Sequence, residues 1–153
     1  MSIWQMRALN GEDFDDARAV ADEWFGHPVG LTMHRLFFDQ LGTTGLRLAH
    51  ADAPEVLVGV LLGFASLADP ALAYIHFVMV DPAVRGTGAA SALYREFGSR
   101  MTHRGCTRVR SLAGPARTGS IAFHESLGFA GTFAAEYLGP DQDRIIFERR
   151  LPF

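Results

Sequence analysis

The sequence predicts an α/β fold, with one mixed sheet of about seven strands flanked by about four helices. Three observations carry this prediction. Short apolar runs bounded by Asp, Pro and Gly fill the first half of the chain. A glycine-bearing turn, Arg85-Gly86-Thr87-Gly88, leads from one such run into helical spacing. After it, strand, helix, strand and strand complete the chain. With 153 residues, 48% of them hydrophobic, and no internal repeat or linker, residues 1–153 read as one domain around one core.

Residues Ile3 to Ala8 read as the first strand. Asn10, followed by Gly11, Glu12 and Asp13, starts a helix with acids where its dipole favours them. Phe14, Ala17, Val20, Ala21 and Trp24 recur at helical spacing to about Phe25, and Gly26-His27-Pro28 stops the helix. A shorter helix is expected over Met33 to Leu41. Leu46 to His50 and Val56 to Ser66 form a hairpin across Ala51-Asp52-Ala53-Pro54, and Ala73 to Val80 is the next strand. Ala89, Ala92, Leu93 and Phe97 mark a helix to about Met101. Thr107 to Leu112 is a strand, Thr118 to Leu127 a helix closed by Gly128, and two more strands lie near Thr132 to Tyr137 and Arg144 to Leu151.

Composition narrows the function classes. The longest uncharged run of the first half, Val56 to Ala68, is shorter than the roughly 20 apolar residues of a spanning helix, so no membrane association is expected. The N-terminus shows no basic stretch followed by an apolar one, and the single cysteine, Cys106, forms no internal disulfide; both suit a cytoplasmic protein. Six scattered histidines form no metal-ligand spacing, so no metal is expected. All 14 basic residues are arginine. Seven of them lie between Arg85 and Arg117 against one acid, Glu96, so this block carries +6 and the rest of the chain −9, for the net −3. A block of this kind fits either a phosphate-bearing ligand or a solvated face. The acidic chain and the absence of a binding module argue against nucleic acid as a partner.

The stretch from Phe77 through Val80 and Asp81-Pro82 to Ala90 delivers an apolar strand to a tight turn and then at once to a helix. The first amides of such a helix lack internal partners, so the turn either binds phosphate oxygens or merely turns a corner. The glycine spacing is neither that of a dinucleotide fold nor that of a triphosphate loop.

With this turn, a second segment resembles the GNAT superfamily of acyl-CoA-dependent N-acetyltransferases. The first signature is Arg85-x-x-Gly88-x-Ala90. The second is Phe123-His124-Glu125-Ser126-Leu127-Gly128-Phe129. The resemblance covers Ala73 to Phe129 well and the first 50 residues only in outline. It implies a mostly antiparallel sheet with a splayed central strand pair, acetyl-CoA as co-substrate, a small-molecule amine as partner and, as is common in the family, a homodimer. On this reading Arg85, Gly86, Thr87, Gly88, Ala89 and Ala90 cradle the pyrophosphate, while Val78, Met79 and Val80 accompany the pantetheine arm. The Val78 amide then faces the thioester carbonyl, and Phe123 and Arg117 adjoin the cofactor. The same scaffold would also serve another acyl-CoA, a protein amine, or binding without catalysis.

Two departures from the family pattern stand out. His124 occupies the place of the usual tyrosine, which protonates the departing thiolate. It either takes over that role, with an ordinary pKa of ~6.5 against ~10 for tyrosine, or only fills the volume. Arg117 stands where relatives often carry asparagine, and either meets a cofactor phosphate or lies in solvent. For the base that accepts the amine's proton, His76 is the candidate, placed by alternation on the face of Tyr74 and Val78; a satisfied core histidine is the other reading. Tyr74 and Glu136, with Tyr137, are expected on the acceptor side. Residues 1 to 60 hold nine acids and four arginines, and Asp22 and Glu23 are expected to draw a cationic amine towards the thioester.

Overall fold

The computed structural model describes residues 2–153. In chain order its elements are β1 (Trp4–Ala8), α1 (Asp13–Phe25), α2 (Arg35–Leu41), β2 (Leu46–His50), β3 (Gly59–Ala65), β4 (Leu72–Val80), α3 (Ala89–His103), β5 (Arg108–Ala113), α4 (Thr118–Ser126), β6 (Ala130–Ala134) and β7 (Arg144–Arg150). Seven strands form one sheet in the order β1-β2-β3-β4-β5-β7-β6. Every neighbouring pair is antiparallel except β4 and β5, which α3 joins by a crossover and which therefore run parallel.

Each face of the sheet closes a core. On one, Ala17, Ala21 and Trp24 of α1 and Phe38 of α2 cover Val60, Leu62, Phe77 and Met79. On the other, Leu93, Tyr94, Phe97 and Met101 of α3 pack with Leu61, Ala73, Ile75, Val109 and Phe147. A buried ion pair pins α1 to the sheet edge. Asp13 accepts two hydrogen bonds from Arg7 (2.7 and 2.8 Å), and its Oδ1 lies 3.6 Å from Nε of the equally buried Arg47.

Boundaries differ from expectation where local turns decide them. Asn10 caps a preceding turn through the Glu12 amide (2.9 Å), so α1 begins at Asp13. His34 caps α2, accepting from the Leu36 amide at 3.0 Å, so that helix starts after Met33. β3 starts at Gly59, not Val56, and β6 ends at Ala134, because Glu136 takes a left-handed φ of 51° and turns the chain.

The two features that make the site both lie on β4. Its pairing with β5 covers only Leu72 to Tyr74, after which the strands part. Against β3, Leu62 pairs with Phe77 but Gly63 with Ile75, so His76 is an extra, bulged residue. The bulge corrects the alternation expected from sequence. His76 goes with Phe77 to the side of α1 and α2, its ring 4.9 Å from that of Phe37, whereas Val78 packs into the opposite core.

Candidate active site

The bulge also aims the backbone. The Asp81 amide donates to Val58 O (2.8 Å), so those of Met79 and Phe77 face β3 likewise. The amides of Val78 and Val80 therefore face the side that β5 has left. A groove of about 740 Å³ opens there, lined by Val78, Met79 and Val80, the turn from Arg85 to Ala90 except Thr87, and Arg117, Phe123 and His124 on the α4 side. The Thr87 hydroxyl instead donates back to Val84 O, bracing the turn.

The glycines of that turn are required by its geometry. Gly86 and Gly88 have φ of 79° and 86°, and a β-carbon on either would stand in open space with no atom within 4 Å. Among the described residues, the amides of Gly86, Gly88, Ala89, Ala90 and Ser91 have no hydrogen-bond acceptor, while Ala92 makes the first helical bond, to Gly88 O (2.9 Å). The side chain of Arg85 turns away to hold Trp24 O at the end of α1 (2.6 Å). Arg117 is exposed and pairs with no carboxylate among the described residues.

A second cavity, of about 440 Å³, meets the groove at Val78, Tyr94, Arg117, Ser120 and His124, and extends past Tyr74 and His76 to Leu138 and Arg144. His76 Nε2 lies 2.9 Å from Thr32 O. A carbonyl can only accept, so Nε2 carries a proton, and in the neutral ring Nδ1 is the accepting nitrogen. The Tyr74 hydroxyl is pushed up to about 12 by burial, with Tyr137 adding and Arg110 opposing, and stays protonated. Glu136 does not line either cavity: exposed in the β6–β7 turn, it donates its amide to Asp143 (2.8 Å), and Leu138 occupies the wall instead.

His124 is buried at 3% exposure, stacked on Phe147 with ring centroids 4.3 Å apart. Its Nδ1 donates to Ser120 O (2.7 Å), which leaves Nε2 to accept the Tyr94 hydroxyl (2.9 Å). Burial pushes this imidazole below its ordinary pKa, with the Ser120 carbonyl opposing, so it is neutral near pH 7. Both nitrogens are thus engaged, and Tyr94, hydrogen-bonded to Nε2, lines both cavities with it. Burial raises the Tyr94 hydroxyl to about 12, with Ser111 opposing. Sequence reasoning missed Tyr94; a phenol within the apolar stripe Leu93, Phe97, Met101 was its only signal.

An unpaired pocket of amides beside a splayed strand pair is the arrangement that the two sequence signatures imply, and the comparison with known families agrees. The sequence matches the family described as acetyltransferase (GNAT) over residues 9–129. The chain belongs to that family. Its fold is similar to that of Ard1 from Thermoplasma volcanium (18% identity, TM-score 0.83, covering 99% of this chain and 100% of that one). It is also similar to the ribosomal-protein-S18-alanine N-acetyltransferase from Escherichia coli (18%, TM-score 0.79, covering 98% and 95%). A third is a GNAT superfamily phosphinothricin acetyltransferase from Sinorhizobium meliloti in complex with acetyl-CoA (20%, TM-score 0.75, covering 98% and 89%). A comparison with curated protein sequences finds no match. As a GNAT acetyltransferase the protein is an acyltransferase. Among its described residues, no cluster of three or more His, Cys, Asp or Glu could hold a metal, and no helix is long and apolar enough to cross a membrane.

Proposed function

We propose that this GNAT domain transfers an acetyl group from acetyl-CoA to a small primary amine by direct attack of the amine on the thioester. The observation that carries the reading is the set of acceptor-free amides of Gly86, Gly88, Ala89, Ala90 and Ser91 at the mouth of a groove whose floor is the free edge of β4. The diphosphate of the donor lies on those amides, helped by the helix dipole of α3, and Arg117 stands at the same rim. The pantetheine arm runs along Val78 and Val80 with Phe123 on the far wall, which brings the thioester to the junction of the two cavities.

There the amine enters from the side of Tyr74 and His76. Nδ1 of His76 takes the proton the nitrogen must lose, directly or through water. The Val78 amide donates to the oxyanion of the tetrahedral intermediate. As the carbon–sulfur bond breaks, Tyr94 supplies the proton. At rest its hydroxyl donates to neutral His124; a thiolate forming beside it is the stronger acceptor, so the hydrogen turns to sulfur. The proton held by His76 then replaces it through water. His124 is on this reading a positioning residue, and the phenol, not the imidazole, stands in for the family's tyrosine.

Calorimetry with acetyl-CoA, and release of free thiol on adding amines, test the proposal. Gly88→Val is expected to weaken acetyl-CoA about 10-fold or more. A branched side chain at a φ of 86° costs about 1–2 kcal/mol, and its β-carbon would project where the diphosphate lies. Wild-type affinity in this variant would remove the phosphate from the turn.

A further inference from the structure

We propose that the acceptor is an amine that also carries a carboxylate, a small amino-acid-like zwitterion whose anionic group is met by Arg144 and the Tyr74 hydroxyl. This rests on the acetyltransferase reading above and names the substrate class of its second cavity.

The cavity's charge is the starting point. The chain has 17 acids, yet none lines this cavity, whereas Arg117 and Arg144 do. Of the two acids expected to draw in a cation, Asp22 holds Arg18 and the Val29 amide, and neither Asp22 nor Glu23 lines the cavity. A polyamine would bring several positive charges to two arginines with no carboxylate to receive them, and that arrangement is unfavourable in a partly desolvated cavity. A carboxylate on the acceptor reverses the balance.

Arg144 is placed to meet it. On neighbouring β5, Arg108 and Arg110 are neutralised by Asp69 and Glu148. Arg144, half-buried at the start of β7, has no carboxylate within 4.0 Å among the described residues. Its Nη1 donates to Asp143 O (2.7 Å) and its Nη2 to Gln142 Oε1 (3.2 Å), so its head is oriented but keeps its charge. The Tyr74 hydroxyl makes no hydrogen bond among the described residues and lines the same cavity, as does His76. An acceptor anchored by its carboxylate on Arg144 and Tyr74 spans to the base with its amine, and the guanidinium fork suits that planar group.

The test uses matched acceptors with acetyl-CoA: amino acids, their amides, the corresponding decarboxylated amines, spermidine and a short peptide, all read by free thiol. The expected result is a kcat/KM for amino acids about 10- to 100-fold above that for their amides, as follows from losing a charge-assisted hydrogen bond. Arg144→Gln should erase that ratio and Arg144→Lys should restore part of it. Amides or amines used as well as the acids, or spermidine or the peptide ahead of every amino acid, would overturn the assignment. Calorimetry separates two further failures. Acetyl-CoA binding with no amino acid turned over overturns the acceptor class alone. No binding of acetyl-CoA overturns the acetyltransferase reading, and this inference with it.

Discussion

Replacing Tyr94 by phenylalanine is expected to lower kcat about 100- to 10,000-fold while leaving the affinity for acetyl-CoA nearly unchanged. Phenylalanine keeps the ring that meets Phe123 edge-on at 5.1 Å, so the groove wall survives. What is lost is the one hydroxyl that both faces the junction of the cavities and rests on His124 Nε2. Held near pKa 12 by burial, that hydroxyl stays protonated across the working range and has a proton to give. Since Nε2 of His124 would lose its partner, a modest fall in stability is expected too, and thermal unfolding separates it from the kinetic effect. Turnover at the wild-type rate in a folded Tyr94→Phe protein would return the proton to another donor.

The largest stability effect is expected from Asp13→Ala, at about 3 kcal/mol, or roughly 10 °C in Tm. The carboxylate is 5% exposed and compensates Arg47, also 5% exposed, whose Nε has no hydrogen-bond partner while its Nη atoms go to Pro54 O and Glu55 O. Removing it leaves a buried cation with no counter-charge. Burial pushes the Asp13 carboxyl up. Hydrogen bonds from Arg7 and the Asn10 amide, with the charges of Arg7 and Arg47, outweigh that and hold it below its ordinary 3.8. A depressed carboxyl contributes stability above its unfolded pKa and loses it as pH falls through the folded one. Wild-type protein should therefore weaken in acid below about pH 3.8, and Asp13→Ala should lack that part of the loss. An unchanged Tm would show that Arg7, half exposed, had left the pair to solvent.

The turn Arg85-x-x-Gly88-x-Ala90 was legible because its shape is a backbone property: glycine where φ is positive, and a helix start whose amides cannot pair internally. The same holds for Leu127-Gly128-Phe129, where Gly128 (φ 83°) ends the α4 turn. His124 was legible as a position but not as a role. A buried imidazole between a carbonyl and a phenol is defined by partners 4 and 30 residues away. Glu136 misled because a left-handed φ at a non-glycine residue leaves no mark in the apolar pattern.

From sequence alone came the seven strands and four helices, the order in which they occur, and the family, because hydrophobic spacing and glycine positions are local properties of the chain. Only the folded chain decided the geometry of the candidate site. One bulge at His76 turned the amides of Val78 and Val80 to the open edge, and packing of α3 on the sheet brought Tyr94 to His124. It also left Arg144 without a carboxylate. These depend on strand register and on distances between residues far apart in sequence, which no local pattern encodes.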